Sequence, residues 1–93
     1  METRFNTKSI KKLFEDINLE TCDCITFHMK NGNKIRWNCY FMENGELLHK
    51  FPHTRKYPKT DTNVEVLIAE TRNTRNFIII NDISYIEVKY IQT

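Results

Sequence analysis

The sequence predicts a small, mainly β domain with one α-helix near its N-terminus. Three observations predict this class: a helical hydrophobic period near the N-terminus, an alternating period after residue 20, and asparagine–glycine turns between the alternating segments. The chain has 93 residues, of which 40% are hydrophobic and 28% charged, which suits one compact core. We therefore expect a single domain over residues 1–93.

The helix is predicted over about residues 9–18. Ile10, Leu13, Phe14 and Ile17 recur at the spacing that places side chains on one helix face. Hydroxyl side chains just before Ile10 can cap the first turn by accepting a hydrogen bond from a free backbone N–H group. The apolar face of this helix is expected to cover a sheet.

The strands follow from alternating apolar and polar residues bounded by turn residues. Asn31-Gly32-Asn33 and Asn44-Gly45 are the clearest turns, because asparagine and glycine tolerate positive φ angles. Phe77-Ile78-Ile79-Ile80 is a continuous apolar run and predicts a strand that is buried on both faces. The predicted strands are residues 25–29, 35–41, 46–51, 64–68, 77–80 and 83–91.

A basic segment over residues 49–63 is predicted to be a loop or an irregular edge. Pro52 and Pro58 cannot donate a hydrogen bond to a β-ladder, and the residues between them are mostly polar. This segment mixes cations with aromatic residues, a composition suited to phosphates and nucleic-acid bases. The candidate phosphate-binding residues here are Lys50, Arg55, Lys56, Tyr57 and Lys59.

The order of these elements resembles Sm-like and Src-homology-3-like barrels. Met29-Lys30-Asn31-Gly32 followed by Lys34–Glu43 resembles the first Sm motif, and Phe77–Val88 resembles the closing strands of such domains. The resemblance covers roughly residues 8–91 and implies an antiparallel barrel of five to six strands over about residues 22–91. The Arg-Gly turn with which Sm proteins hold RNA is absent, so that RNA site is not carried over.

No catalytic or metal-binding motif is predicted. Cys22, Cys24 and Cys39 lack the spacing of a zinc knuckle, and we interpret them as reduced thiols rather than metal ligands. His28 is on the polar side of its strand, where a solvated histidine is favoured over a catalytic base. We therefore expect a protein that is not an enzyme and that uses no cofactor.

Two function classes remain open. The first is a module that binds nucleic acid or a nucleotide-type phosphate through residues 49–59, with Arg72 and Arg75 in the connection before Phe77 as further candidate contacts. The competing structural interpretation is a solvated loop that Phe51 and Tyr57 anchor to the domain. Oligonucleotide affinity that falls steeply with salt would distinguish the two.

The second class is a protein-binding inhibitor. Arg36 and Tyr40 are candidate partner contacts, because arginine and tyrosine are favoured in binding hot spots, unless the helix covers Tyr40. The richness in Asn, Ile, Lys and Thr resembles small proteins of bacteriophages and mobile elements, some of which block host nucleases or defence proteins. Assembly into an oligomer through edge strands is a further possibility.

The sequence contains no apolar run of the roughly 20 residues that a membrane-spanning helix needs. Its N-terminal residues also lack the apolar stretch of a secretory signal. We expect a cytoplasmic protein without a membrane partner.

Overall fold

The computed structural model describes residues 5–58 and 63–91, which form one short helix and two antiparallel sheets. The first sheet has the strand order β2-β1-β6 and the second has the order β3-β4-β5. The elements are α1 (Thr7–Glu15), β1 (Cys22–Met29), β2 (Lys34–Asn38), β3 (His53–Pro58), β4 (Asn63–Glu70), β5 (Arg75–Ile79), a 3₁₀ turn (Ile80–Asp82) and β6 (Ile83–Tyr90). The prediction of a mainly β fold with one N-terminal helix is confirmed.

The predicted barrel is wrong. Within residues 5–58 and 63–91, β1 is the only partner of β2 and β6, and β4 is the only partner of β3 and β5. A barrel would need β2 to continue into the second sheet, but β2 ends at Asn38. The chain then turns at Gly45. The strand predicted over 46–51 is reduced to an isolated β-bridge between Phe41 and Leu47.

Asn6 determines where α1 begins. Its side-chain oxygen accepts a hydrogen bond from the Ser9 backbone N–H at 2.8 Å, and the Ser9 hydroxyl accepts one from the Asn6 backbone N–H at 2.9 Å. Ile10 is fully buried, and Phe14 packs against the core. No helix within the described ranges has the length and apolar character needed to cross a bilayer.

The inner faces of both sheets and the helix build one core. Trp37 is fully buried, lies opposite Ile25 in the β1–β2 ladder and meets the Phe51 ring edge-on at 5.4 Å. From the second sheet, Leu67 and Ile78 enter the same cluster. Each sheet therefore has one face on the core and one face turned away from it.

The segment between the two prolines is an edge strand, so of the two predicted alternatives, a loop and an irregular edge, the loop is wrong. Pro52 immediately precedes β3, and Pro58 is its last residue. Because β3 is an edge strand, a proline at its end removes no hydrogen bond from the interior of the sheet. Residue 59 lies outside the described residues, so the prediction for Lys59 has no structural counterpart.

The apolar run 77–80 is not buried on both faces. Ile78 and Ile80 are buried, whereas Phe77 is 56% exposed and Ile79 45% exposed. The run follows the alternation of a strand at the edge of a sheet that has the core on one side only. Its apolar outward face was not predicted.

Candidate ligand-binding face

The outer face of the first sheet, called the polar face below, gathers cations, aromatic rings and one carboxylate. In the register, Thr26 lies opposite Arg36 and Glu87. His28 lies opposite Lys34 and Tyr85 in the same way. Residues that pair directly have side chains on the same side of a sheet. The polar face consists of Thr26, His28, Lys34, Arg36, Tyr85, Glu87 and Lys89; Cys24 and Asn38 lie at its Lys89 end.

Two rings at the end of this face next to the β1–β2 turn form a stacked pair. The His28 and Tyr85 rings lie 4.0 Å apart between centroids, with 9° between their planes. The His28 Nε2 atom is 3.0 Å from a carboxylate oxygen of Glu87, which holds the imidazole in place. Tyr85 is 55% exposed, so the face supplies an oriented aromatic surface that a ligand can reach.

Three cations share this face with the stack, Lys34 in the same row and Arg36 and Lys89 further along the strands. Lys34 and Arg36 on β2 and Lys89 on β6 are exposed, and Glu87 is the one carboxylate among the residues that define the face. A shallow depression of about 410 Å³ lies between the strands and is lined by Thr26, His28, Lys34, Arg36 and Glu87. Charged donors beside a polar depression favour an anionic ligand, and phosphate oxygens accept such charge-assisted bonds strongly.

The structure separates the residues of the predicted basic site. Lys50 is exposed in the segment that precedes β3. Arg55 and Lys56 are both exposed, but as neighbours in β3 they point to opposite faces of the sheet. The Arg55 guanidinium lies 5.7 Å from the centroid of the Tyr57 ring, whereas Lys56 pairs in register with Glu65. These cations therefore do not form one continuous surface.

The second predicted cluster lies at the other end of the β3-β4-β5 sheet. Arg72 is exposed in the turn between β4 and β5. Arg75 begins β5, where its Nε atom is 3.1 Å from a carboxylate oxygen of Glu70. Arg75 pairs in register with Glu70, and Arg55 pairs with Val66. Glu70 and Val66 are four residues apart on β4, so the two arginines are separated by roughly 13 Å along the strand.

Arg36 and Tyr40, the predicted partner contacts, do not share a strand. Arg36 belongs to the polar face, but β2 ends at Asn38 before Tyr40 is reached. Tyr40 is 54% exposed, with its ring tilted against His49 at 6.4 Å, so the helix does not cover it.

Sequence reasoning missed four members of the polar face: Lys34, Tyr85, Glu87 and Lys89. The alternation of β6 could have identified Tyr85 as facing away from the core, because Ile86 and Val88 are on the opposite side. The contact with His28 could not be inferred from that alternation. It depends on the register between β1 and β6, which shifts between His28 and Met29.

Two of the three cysteines are buried together at the edge of the core. Burial, with added repulsion from Cys39, raises the pKa of the Cys22 thiol from 9.0 to about 11. Burial also raises the pKa of Cys39, whose Sγ donates to the Leu19 carbonyl oxygen at 3.7 Å. In the part of the chain that the structure describes, no three His, Cys, Asp or Glu side chains are grouped to hold a metal ion.

Cys22 is expected to resist thiol reagents in the folded protein. A pKa of about 11 instead of 9.0 leaves roughly 100-fold less thiolate at pH 8, and burial slows access further. A colorimetric disulfide reagent at pH 8 should modify Cys22 at least ~100-fold more slowly than in the same protein unfolded in urea. Equal rates in the two states would contradict the buried position.

The raised pKa of Cys22 also predicts that the folded protein becomes less stable at alkaline pH. The folded pKa of Cys22 lies above its ordinary value, so its contribution to stability is complete below pH 9.0 and is lost as the pH rises towards about 11. The urea midpoint of the native chain should fall over this range. In a Cys22→Ala variant, the part of that decline that comes from this thiol should disappear.

Comparisons of the chain with protein-family models, with curated proteins and with solved structures find no significant match. The Sm-like or Src-homology-3-like assignment is therefore unsupported by any family match as well as by the strand pairing.

Proposed function

We propose that the protein is a non-enzymatic binding module that holds single-stranded nucleic acid against its polar face. The observation that supports this function best is the stacked pair of His28 and Tyr85 beside the cations Lys34 and Arg36. Proteins that bind single strands combine these two features: aromatic surfaces for bases and cations that follow the phosphates.

The arrangement suggests how a strand would lie. A base would stack on the exposed side of Tyr85, a contact worth roughly 1–3 kcal/mol per base. The phosphates would run along β2, where Lys34 and Arg36 lie on the far side of β1 from Glu87. This path keeps the phosphates away from the carboxylate that anchors His28.

The proposed interface lies on the first sheet and not in residues 49–59. Arg55 and Lys56 face opposite sides of their sheet, whereas Lys34 and Arg36 are two residues apart on β2 and share a face. A continuous backbone can contact the second pair at once but not the first.

A labelled ten-nucleotide single strand, as DNA and as RNA, tests this function by fluorescence anisotropy. The native chain should bind with an affinity that falls steeply between 50 and 200 mM salt, because phosphate contacts release counterions (about 0.7 per contact for single strands). Tyr85→Ala should weaken binding about 5- to 150-fold, the range that corresponds to losing one stacked base.

Tyr40→Ala is the matched control, because Tyr40 is 54% exposed and Tyr85 is 55% exposed. It should leave the affinity unchanged. Absent binding, salt-independent binding, or equal losses in the two variants would each overturn the proposal.

A further inference from the structure

The second sheet has an outer face that is largely apolar along β4 and β5. In register, Val66 lies beside Ile79, and Ile68 beside Phe77. Val66 and Ile68 are buried but lie outside the core cluster, because neighbours on this outer face cover them. The apolar face consists of Tyr57, Val64, Val66, Ile68, Phe77 and Ile79. On the same side of the sheet, His53 and Arg55 of the edge strand β3 lie beside Ile68 and Val66.

Two aromatic rings of this face, those of Tyr57 and Phe77, are in contact with each other. The Tyr57 and Phe77 centroids are 6.3 Å apart, with the rings edge to face. Phe77 and Ile79, both on β5, remain 56% and 45% exposed. Apolar area is thus left uncovered beside the outer edge of β5, where an additional strand would bury it.

Within residues 5–58 and 63–91 the two sheets have four edge strands, which differ in how they are protected against pairing. Charged residues and prolines on an edge discourage the addition of another strand. Three edges have two charged residues each: Lys34 and Arg36 in β2, Glu87 and Lys89 in β6, and Arg55 and Lys56 in β3, which also ends in Pro58. β5 has no proline and a single charge, on Arg75 at its first residue.

We propose that β5 binds an extended segment of a protein partner by strand addition, with apolar residues beside Phe77 and Ile79 and carboxylates near Arg72 and Arg75. Backbone hydrogen bonds to the open edge of β5 would supply affinity, and alternate side chains would supply selectivity. In the part of the chain that the structure describes, β5 pairs with β4 alone.

The charges at the start of β5 select an acidic partner. Arg72 and Arg75 lie there against one carboxylate, that of Glu70. An incoming segment that continues past Arg75 meets a net positive end of the strand. Carboxylates at that position gain charge-assisted hydrogen bonds, whereas lysines are repelled.

A second copy of this chain fits the edge less well. Antiparallel pairing of two β5 strands centred on Phe77 would put Arg75 of one copy beside Ile79 of the other. The apolar face also has only six residues, whereas a standard stable interface has about 20–30 residues on each side. Both points favour a short acidic segment over self-association.

Two synthetic eight-residue peptides test the proposal, each alternating valine and threonine, one ending in two aspartates and its match in two lysines. Binding is followed by backbone amide shifts of the ¹⁵N-labelled full chain. The aspartate peptide should shift the amides of Arg75–Ile79 and slow their hydrogen exchange. It should bind at least about tenfold more tightly than the lysine peptide.

Phe77→Lys should weaken binding of the aspartate peptide at least about tenfold, because the substitution places a charge on the apolar edge. Tyr40→Lys is the control: its side chain is 54% exposed, close to the 56% of Phe77, and lies outside the second sheet. Amide spectra of both variants report that they fold.

The proposal is overturned if neither peptide shifts β5, or if the two peptides bind equally. It is also overturned if Tyr40→Lys weakens binding as much as Phe77→Lys. A native mass in solution of twice 11.2 kDa that Phe77→Lys returns to one chain would show that a second copy occupies the edge instead.

Discussion

Trp37→Ala is expected to lower the free energy of unfolding by about 3–5 kcal/mol, the cost of removing a fully buried aromatic side chain from a core. Domains of this size are usually stable by only about 5–15 kcal/mol, so this loss would bring the protein close to unfolding. Trp37 contacts the Phe51 ring and lies opposite Ile25, so its removal leaves a cavity between β2, β1 and the segment before β3.

Urea unfolding followed by far-ultraviolet circular dichroism measures this effect, since the chain has only one tryptophan and the variant loses its fluorescence. Trp37→Phe should cost less than half as much, because a phenyl ring still fills much of the space and the indole N–H has no hydrogen-bond partner among the described residues. Tyr40→Ala should change stability by no more than about 0.5 kcal/mol. A cost below ~1 kcal/mol for Trp37→Ala would contradict its place in the core.

Reversing Lys34 and Arg36 together to glutamate should weaken oligonucleotide binding at least about 100-fold at 100 mM salt, since two phosphate contacts become repulsive. The slope of log affinity against log salt should decrease by about 1.4, or 0.7 for each lost contact. Both side chains are exposed, so the variant should fold as the native chain does.

Reversing Arg55 and Lys56 to glutamate is the matched control. It changes the net charge by the same amount and also replaces exposed residues on an edge strand. This variant should lose no more than about threefold in affinity, the long-range effect of charge alone. If it loses binding while the β2 variant retains it, the interface is the basic segment that the sequence indicated.

The hydrophobic period and the turn residues correctly predicted several secondary-structure elements. The helix, the β1–β2 hairpin at Gly32 and the final strand all appear close to where they were expected. At residues 53–58 the prolines suggested a loop or an irregular edge, and the loop is wrong because an edge strand tolerates a proline at its end. The prediction that residues 77–80 are buried on both faces is also wrong, because Phe77 and Ile79 are exposed.

The candidate sites show a similar division. Arg36 was identified as a contact residue, and it lies on the polar face, although the ligand proposed for that face is nucleic acid rather than a protein. His28 was interpreted as a solvated histidine, and only the register of β1 against β6 shows its stack with Tyr85. The apolar face was not predicted, because nothing in residues 75–79 indicates that their strand ends a sheet.

The amino-acid order alone determined the secondary-structure class, because hydrophobic period and turn chemistry act over a few neighbouring residues. Which residues share a surface was decided only when distant strands paired. Each register assigns a side chain to a face and each sheet order makes a strand central or peripheral, and both depend on contacts between residues far apart in the chain.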